Sequence, residues 1–286
     1  MRVWRFVFPG MMAAAVVGLS NSASAASPFF FSTGNPDGRI ATASGGPGEP
    51  ETGDDFVLAN NTRLIGGSFT GILTGTAVPL SEITNISVEF YRVFPLDSTV
   101  PPSGAVPARA NSPADVAFSE FSTAAHTLTA SISIPATSFT VANTVVTGIH
   151  PLPGVFTGGE GPGTGEEVQF SFSFSVPQDL LAGQYFFVPQ VELSDPVDNF
   201  LWLSAPKPIV APGTPFNADL QTWIRNEALQ PNWLRVGTDI THQGPFNAAF
   251  SLIGTVPEPS SWAMLIMGFG AMGAVLRRRR GAGQVA

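Results

Sequence analysis

Residues 168–176 read Val168-Gln169-Phe170-Ser171-Phe172-Ser173-Phe174-Ser175-Val176. Successive side chains of a β-strand point to opposite faces. The stretch therefore sets Val168, Phe170, Phe172, Phe174 and Val176 on one side and Gln169, Ser171, Ser173 and Ser175 on the other. One face is expected to be buried and the other wet. Working outward, rough alternation recurs at 56–58, 64–73, 83–94, 128–134, 139–147, 185–193, 200–203 and 246–253, with Gly, Pro, Asn and Asp clusters between the runs. Many short strands bounded by turn signals predict an all-β body over 55–255, an antiparallel β-sandwich of Ig-like or jelly-roll-like type. Residues 217–226, around Leu220, Trp223 and Ile224, are the one stretch with helical spacing. No repeat of 20 to 50 residues is visible, which argues against a propeller or solenoid. Residues 26–54 are rich in Gly and Pro; apart from a short strand at 29–32 they read as a flexible arm.

The composition supports this class. Of 286 residues only 12% are charged, while 30 Gly and 26 Pro disfavour long helices and 23 Phe supply apolar area. Setting aside Arg2, Arg5, Glu258 and Arg277 to Arg280, the body has seven basic and twenty acidic residues, a net of −13. Such a body is repelled by phosphate backbones, so no nucleic acid is expected as a partner. The chain has no cysteine, which excludes disulfides, thiolate metal sites and Cys nucleophiles.

The two ends carry addresses. At the N-terminus Arg2 and Arg5 precede an apolar run from Phe6 to Leu19, and Ala23-Ser24-Ala25 supplies small residues for a cut after Ala25. This is the layout of a secretory signal peptide over 1–25, handled by the Sec translocon and signal peptidase. At the C-terminus, Trp262 to Leu276 form a run of fifteen apolar or small residues that ends at Arg277, Arg278, Arg279 and Arg280. A helix of that length spans roughly 22 Å against a hydrocarbon core of about 30 Å, and snorkelling arginines extend its reach. By the positive-inside rule the arginines and the tail 281–286 stay cytoplasmic, leaving the body outside. The expected chain is thus a sandwich flanked by an N-terminal signal helix and a C-terminal transmembrane helix.

Pro257-Glu258-Pro259, then Ser260-Ser261-Trp262-Ala263, the apolar run and the arginine cluster together resemble the PEP-CTERM sorting domain in its PEPxxWA form, over 256–280. The resemblance implies a Gram-negative bacterium that makes exopolysaccharide, and an exosortase that recognises the tag and processes the protein near it. Pro257, Glu258, Pro259, Trp262 and Ala263 would be the recognition element, residues 262–276 a transient anchor, and Arg277 to Arg280 a stop-transfer cluster. Two prolines that bar helix continuation suit an extended, protease-accessible stretch. The six residues after the arginines depart from the usual tail.

Motifs for chemistry are weak. Gly268-Phe269-Gly270-Ala271-Met272-Gly273 matches GxGxxG, but it lies inside the apolar run, without a βαβ unit. Ser204-Ala205-Pro206-Lys207 matches SxxK, but Pro206 and Pro208 oppose the helical turn that aims lysine at serine. His126, His150 and His242 are scattered. Glu166 and Glu167, adjacent on a strand, point to opposite faces. Asn35, Asp37, Asp54 and Asp55, or Asp195, Asp198 and Asn199, are oxygen-rich turns that could serve Ca²⁺, though none has EF-hand spacing. No cofactor is expected. The leading expectation is a non-enzymatic surface or matrix protein, sorted by an exosortase and associated with extracellular polysaccharide or biofilm. The alternatives are a carbohydrate-binding module, with Trp202, Trp223, Trp233, Tyr91 and Tyr185 as contacts, and an exported hydrolase.

Overall fold

The computed structural model describes residues 26–75, 79–98, 109–149, 157–257 and 267–272. The signal peptide 1–25, the tail 281–286 and most of the C-terminal tag lie outside these residues. Residues 26–257 form one compact unit.

The alternating stretch lies in the longest strand. In chain order the strands are β1 (Ser27–Ser32), β2 (Ile40–Ala43), β3 (Glu51–Leu58), β4 (Thr62–Thr74) and β5 (Ile83–Arg92). There follow β6 (Ser119–Ser122), β7 (Leu128–Val145), β8 (Gly161–Leu180), β9 (Gly183–Leu193) and β10 (Asn199–Ala205). The last are β11 (Trp223–Arg225), β12 (Leu234–Arg235), β13 (Asn247–Ala248) and β14 (Phe250–Val256). They build an eight-stranded sheet in the order β1-β14-β4-β8-β7-β2-β10-β13 and a six-stranded sheet in the order β12-β11-β3-β9-β5-β6.

Alternation decides which face is buried. Val168, Phe170, Phe172 and Phe174 are buried between the sheets, packed on Phe69 of β4, Phe187 of β9 and Phe250 of β14. Val176 departs from the expectation: it is 71% exposed, because the β4–β8 register slips beyond Ser173. The runs at 128–134 and 139–147 prove to be one bent strand, β7, with register shifts against β8 at 133–136, 136–139 and 141–144.

The topology is more than a sandwich. β10 pairs with β2 and also with β4, which closes β4-β8-β7-β2-β10 into a five-stranded, barrel-like ring. Ala41, Ala43, Ile72, Val141, Leu201 and Leu203 fill it. The β2–β7 pair is parallel, so the sheet is not wholly antiparallel.

Two further expectations are corrected. Residues 26–54 are not an arm: they contain β1, β2 and the start of β3, with Thr33, Ser44, Thr52 and Asp54 buried. Their low hydrophobicity is offset by bonds, such as Thr33 Oγ1 to the Ala248 carbonyl at 2.6 Å and Ser44 Oγ to the Pro189 carbonyl at 2.5 Å. Residues 217–226 form no helix. Ala218 has φ +60°, and Trp223–Arg225 pair with β3. The transmembrane helix expected over 262–276 falls mostly outside the described residues; residues 267–272 are helical, and no helix among the described residues is long and apolar enough to cross a membrane.

β4 packs between β8 on one side and β14 and β10 on the other, and glycines let the backbones approach. A Cβ added to Gly67 would overlap the Ser251 carbonyl oxygen and touch the Phe172 ring at 3.0 Å. Gly67→Ala is expected to destabilise the fold by about 2 kcal/mol or more. The exposed Ser171→Ala should leave it within roughly 0.5 kcal/mol. Urea midpoints compare the two, and equal midpoints would contradict the packing described.

Candidate functional site

β14 ties the two ends of the body together. It lies between β1 and β4, with Ser27 opposite Val256 and Thr255 opposite Arg63. Leu252 and Phe250 point into the core. Pro257 follows at once, exposed and without an N–H to extend the ladder. The chain thus enters the unit beside Ser27 and leaves it beside Val256, at paired positions of one ladder.

A second feature is an open groove of about 650 Å³ where the outer face of the large sheet curls into the ring. The face of β4 that presents Ile72 to the ring interior carries Thr70 and Ser68 farther along, opposite Gln169 and Ser171 of β8. The groove is lined by Ser68, Thr70, Gln169 and Glu167, with Phe30 and Phe139 among its apolar walls. Ser68 and Ser251 share a hydroxyl bond at 2.8 Å, and Gln169 Nε2 reaches Thr70 Oγ1 at 3.4 Å. Partial burial raises the pKa of the Glu167 carboxyl.

Residues 255–280 match the model of the PEP-CTERM protein-sorting motif. The chain carries a PEP-CTERM sorting motif. No curated protein and no solved structure matches the chain. The PEP-CTERM motif implies export and processing by an exosortase. Its match starts at Thr255, inside the last two residues of β14, so the motif is joined to the ladder without a linker. Of the residues assigned to recognition only Pro257 is described. Glu258, Pro259, Trp262, Ala263 and Arg277 to Arg280 lie outside the described residues, as do Ala23 and Ala25 at the signal cut.

The body residues nominated from the PEP-CTERM chain's sequence are placed as follows. Trp202, Trp223, Trp233, Tyr91 and Tyr185 are all buried, which removes them as surface contacts for a glycan; they fill the core. His126 and His242 sit in separate exposed turns, each with φ +57°, and His150 lies outside the described residues. Lys207 Nζ bonds to the carbonyls of Asp219 and Leu220 at 2.6 and 2.7 Å and pairs with Asp219 Oδ1 at 2.9 Å, not with Ser204. Ser204 Oγ instead bonds Asp37. Asp195 accepts the Val197 N–H within its own turn at 2.9 Å, while Asp198 is half-buried nearby. Among the described residues no three His, Asp or Glu side chains are grouped to hold a metal ion.

Sequence reasoning missed two buried acid networks. Asp54 accepts the Ala248 N–H at 2.8 Å, and Asp55 accepts the Leu220 N–H at 2.9 Å and Gln184 Nε2 at 2.6 Å. Burial, with the Asp55 charge beside it, raises the Asp54 pKa; burial pushes Asp55 up to about 7. In the second network Tyr91 Oη lies 2.7 Å from Glu89 Oε2 and 2.9 Å from Glu51 Oε2, while Arg225 Nη2 donates to it at 2.8 Å. A phenol has one hydrogen and cannot donate to both carboxylates. A proton on Glu89 resolves the count, and burial followed by the Glu51 charge pushes Glu89 up to about 7.

These raised values give a signed expectation. Between the unfolded carboxylate range, near 4, and about 7, the folded state binds more protons, so stability is fullest at low pH and falls as pH rises through that window. Glu89→Gln, which mimics the protonated acid, should remove on the order of 2 kcal/mol of the decline between pH 5 and pH 8. Urea titrations at the two pH values read this. A wild-type stability that rose over the window would refute the assignment.

Proposed function

We propose that the chain is a non-enzymatic cell-surface or matrix protein, exported by the Sec route and delivered by exosortase processing into an exopolysaccharide or biofilm setting. The observation that carries the reading is the sorting motif at 255–280, joined directly to β14. On this reading signal peptidase cuts after Ala25 and frees Ala26 next to β1. Residues 262–276 then hold the chain transiently in the membrane, with Arg277 to Arg280 on the cytoplasmic side. The exosortase acts beyond Val256, because the backbone up to that residue is locked in the ladder with β1. Pro257, exposed and directly after the ladder, is the first residue past it.

The hydrolase alternative is left without its SxxK geometry, since Lys207 is engaged elsewhere. The carbohydrate-binding alternative loses its buried aromatics and rests instead on the groove.

Intact mass and fractionation of the native protein, with and without the exosortase gene, test the sorting claim. With the exosortase, the product is expected to begin at Ala26, retain Val256 and lack the arginine cluster. Without it, or with Pro257, Glu258 and Pro259 all changed to Ala, the full tail should persist in the membrane fraction. The urea midpoint of the body should stay unchanged. Identical mass and location in both strains would refute the reading.

A further inference from the structure

The groove opens onto a face with an unusual distribution of charge. Register places Ser32 of β1 opposite Ser251 of β14, Ser251 opposite Ser68 of β4, Ser68 opposite Ser171 of β8, and Ser171 opposite Ser131 of β7. Five serines therefore form one row across five neighbouring strands. At the usual strand spacing of about 4.8 Å the row is roughly 19 Å long. The row beside it runs Thr70, Gln169, Ser133, and the one on the other side includes Ser173 and Thr129. All these residues except Thr70 are half-buried or exposed, so their polar atoms face water.

The middle of the face is also free of charge. No Asp, Glu, Lys or Arg occurs in residues 27–32, 64–73, 128–145, 168–178 or 250–256. The Arg63–Asp179 pair closes one end of the face, and Glu167 stands at the other. On a body with a net of −13 this is a neutral window. It offers no counter-charge to an anionic lipid, a nucleic acid or an ionic peptide. Its strands are already paired on both sides, which bars strand addition in the middle of the face. What it offers is a regular row of groups that both donate and accept, beside the ring of Phe30, 56% exposed, and that of Phe139. The groove volume, about 650 Å³, lies in the range of sites for small organic groups.

We propose that this face binds an extended, uncharged glycan chain, laid across the strands along the serine row with one segment seated in the groove. Sugar hydroxyls match the donor–acceptor character of Ser32, Ser251, Ser68, Ser171 and Ser131, and the C–H faces of a pyranose ring pack on Phe30 or Phe139. Because the row exceeds the groove, a polymer gains contacts that a monosaccharide does not. The inference rests on the proposed surface delivery for its setting and on the chemistry of the face for its ligand.

The test is affinity electrophoresis of the full-length protein in detergent, through gels containing hydroxyethylcellulose, dextran, mannan or galactan, with alginate as the anionic comparison. Retardation by at least one neutral glycan and none by alginate is expected. Ser171→Glu and Ser171→Lys, opposite in charge on one exposed site, should each weaken retardation more than tenfold with an unchanged urea midpoint. Phe30→Ala should weaken it several-fold, and hydrogen exchange should show protection by the glycan within β8 and β7. Absence of retardation by every neutral glycan, retardation untouched by both Ser171 substitutions, or protection confined to other strands would overturn the proposal. Sorting, read separately by mass and fractionation of the same variants, should be unaffected; a failure of sorting in the wild type would strike the proposed function and leave the binding result standing.

Discussion

Phe187 is the contact on which the two sheets depend. It projects from β9 of the six-stranded sheet and stacks on Phe250 of β14 at 4.9 Å and on Phe172 of β8 at 5.7 Å. It meets Trp202 of β10 edge-on at 5.8 Å, and Phe69 of β4 at 6.3 Å. One ring thus touches four strands of the opposite sheet. Without cysteine, no disulfide cross-links the layers, and each such aromatic pair adds about 0.5–1.5 kcal/mol beyond burial of area. The same contact fixes β14, whose last two residues open the sorting motif, and commits the phenyl face of β8 inward. The serines of β8 are left to the outside as a consequence.

The part of this arrangement legible in the sequence was the part that is local. Alternation in 168–176 assigned Phe170, Phe172 and Phe174 correctly because a strand's facing is set by neighbours in sequence. It failed at Val176, where the β4–β8 register slips before pairing resumes at Gln178. The arm at 26–54 was misread because its strands are short and its buried groups are Thr, Ser and Asp, satisfied by partners far along the chain. Asp54, for instance, is held by the Ala248 N–H. The helix at 217–226 was misread for a related reason. Leu220, Trp223 and Ile224 have helical spacing, yet the Leu220 N–H goes to Asp55 and the Thr222 N–H to Phe246. Closure of the ring by β10 on both β2 and β4 leaves no periodic trace at all.

The candidate sites divide along the same line. A sorting tag is read as a linear peptide, so its residues are contiguous and visible. The groove draws on β1, β14, β4, β8 and β7, and its residues are individually ordinary serines and threonines. The aromatic residues that drew attention in the sequence are instead core, in keeping with how much area each buries. Charge follows its own division. Glu51, Asp54, Asp55 and Glu89 are gathered on β3 and β5 of the six-stranded sheet, while the outer face of the eight-stranded sheet is left almost neutral.

Strand order also ties folding to the chain's route. Among the described strands β1 is the first made and pairs only with β14, the last. Until β14 arrives, β1 has no partner and one side of β4 is open from Arg63 to Phe69. A ladder between the chain's two ends carries the highest loop-closure cost of any pairing in the fold, so it is favoured late. Pro28 and the short length of β1 keep the waiting edge from pairing elsewhere, and the Thr214 N–H, bonded to the Ser32 carbonyl, covers its far end. The segment that halts at the membrane under the proposed function, 262–276, begins six residues after Val256, the end of the strand that completes the sheet. Closure of the body is therefore set by the residues that directly precede Pro257.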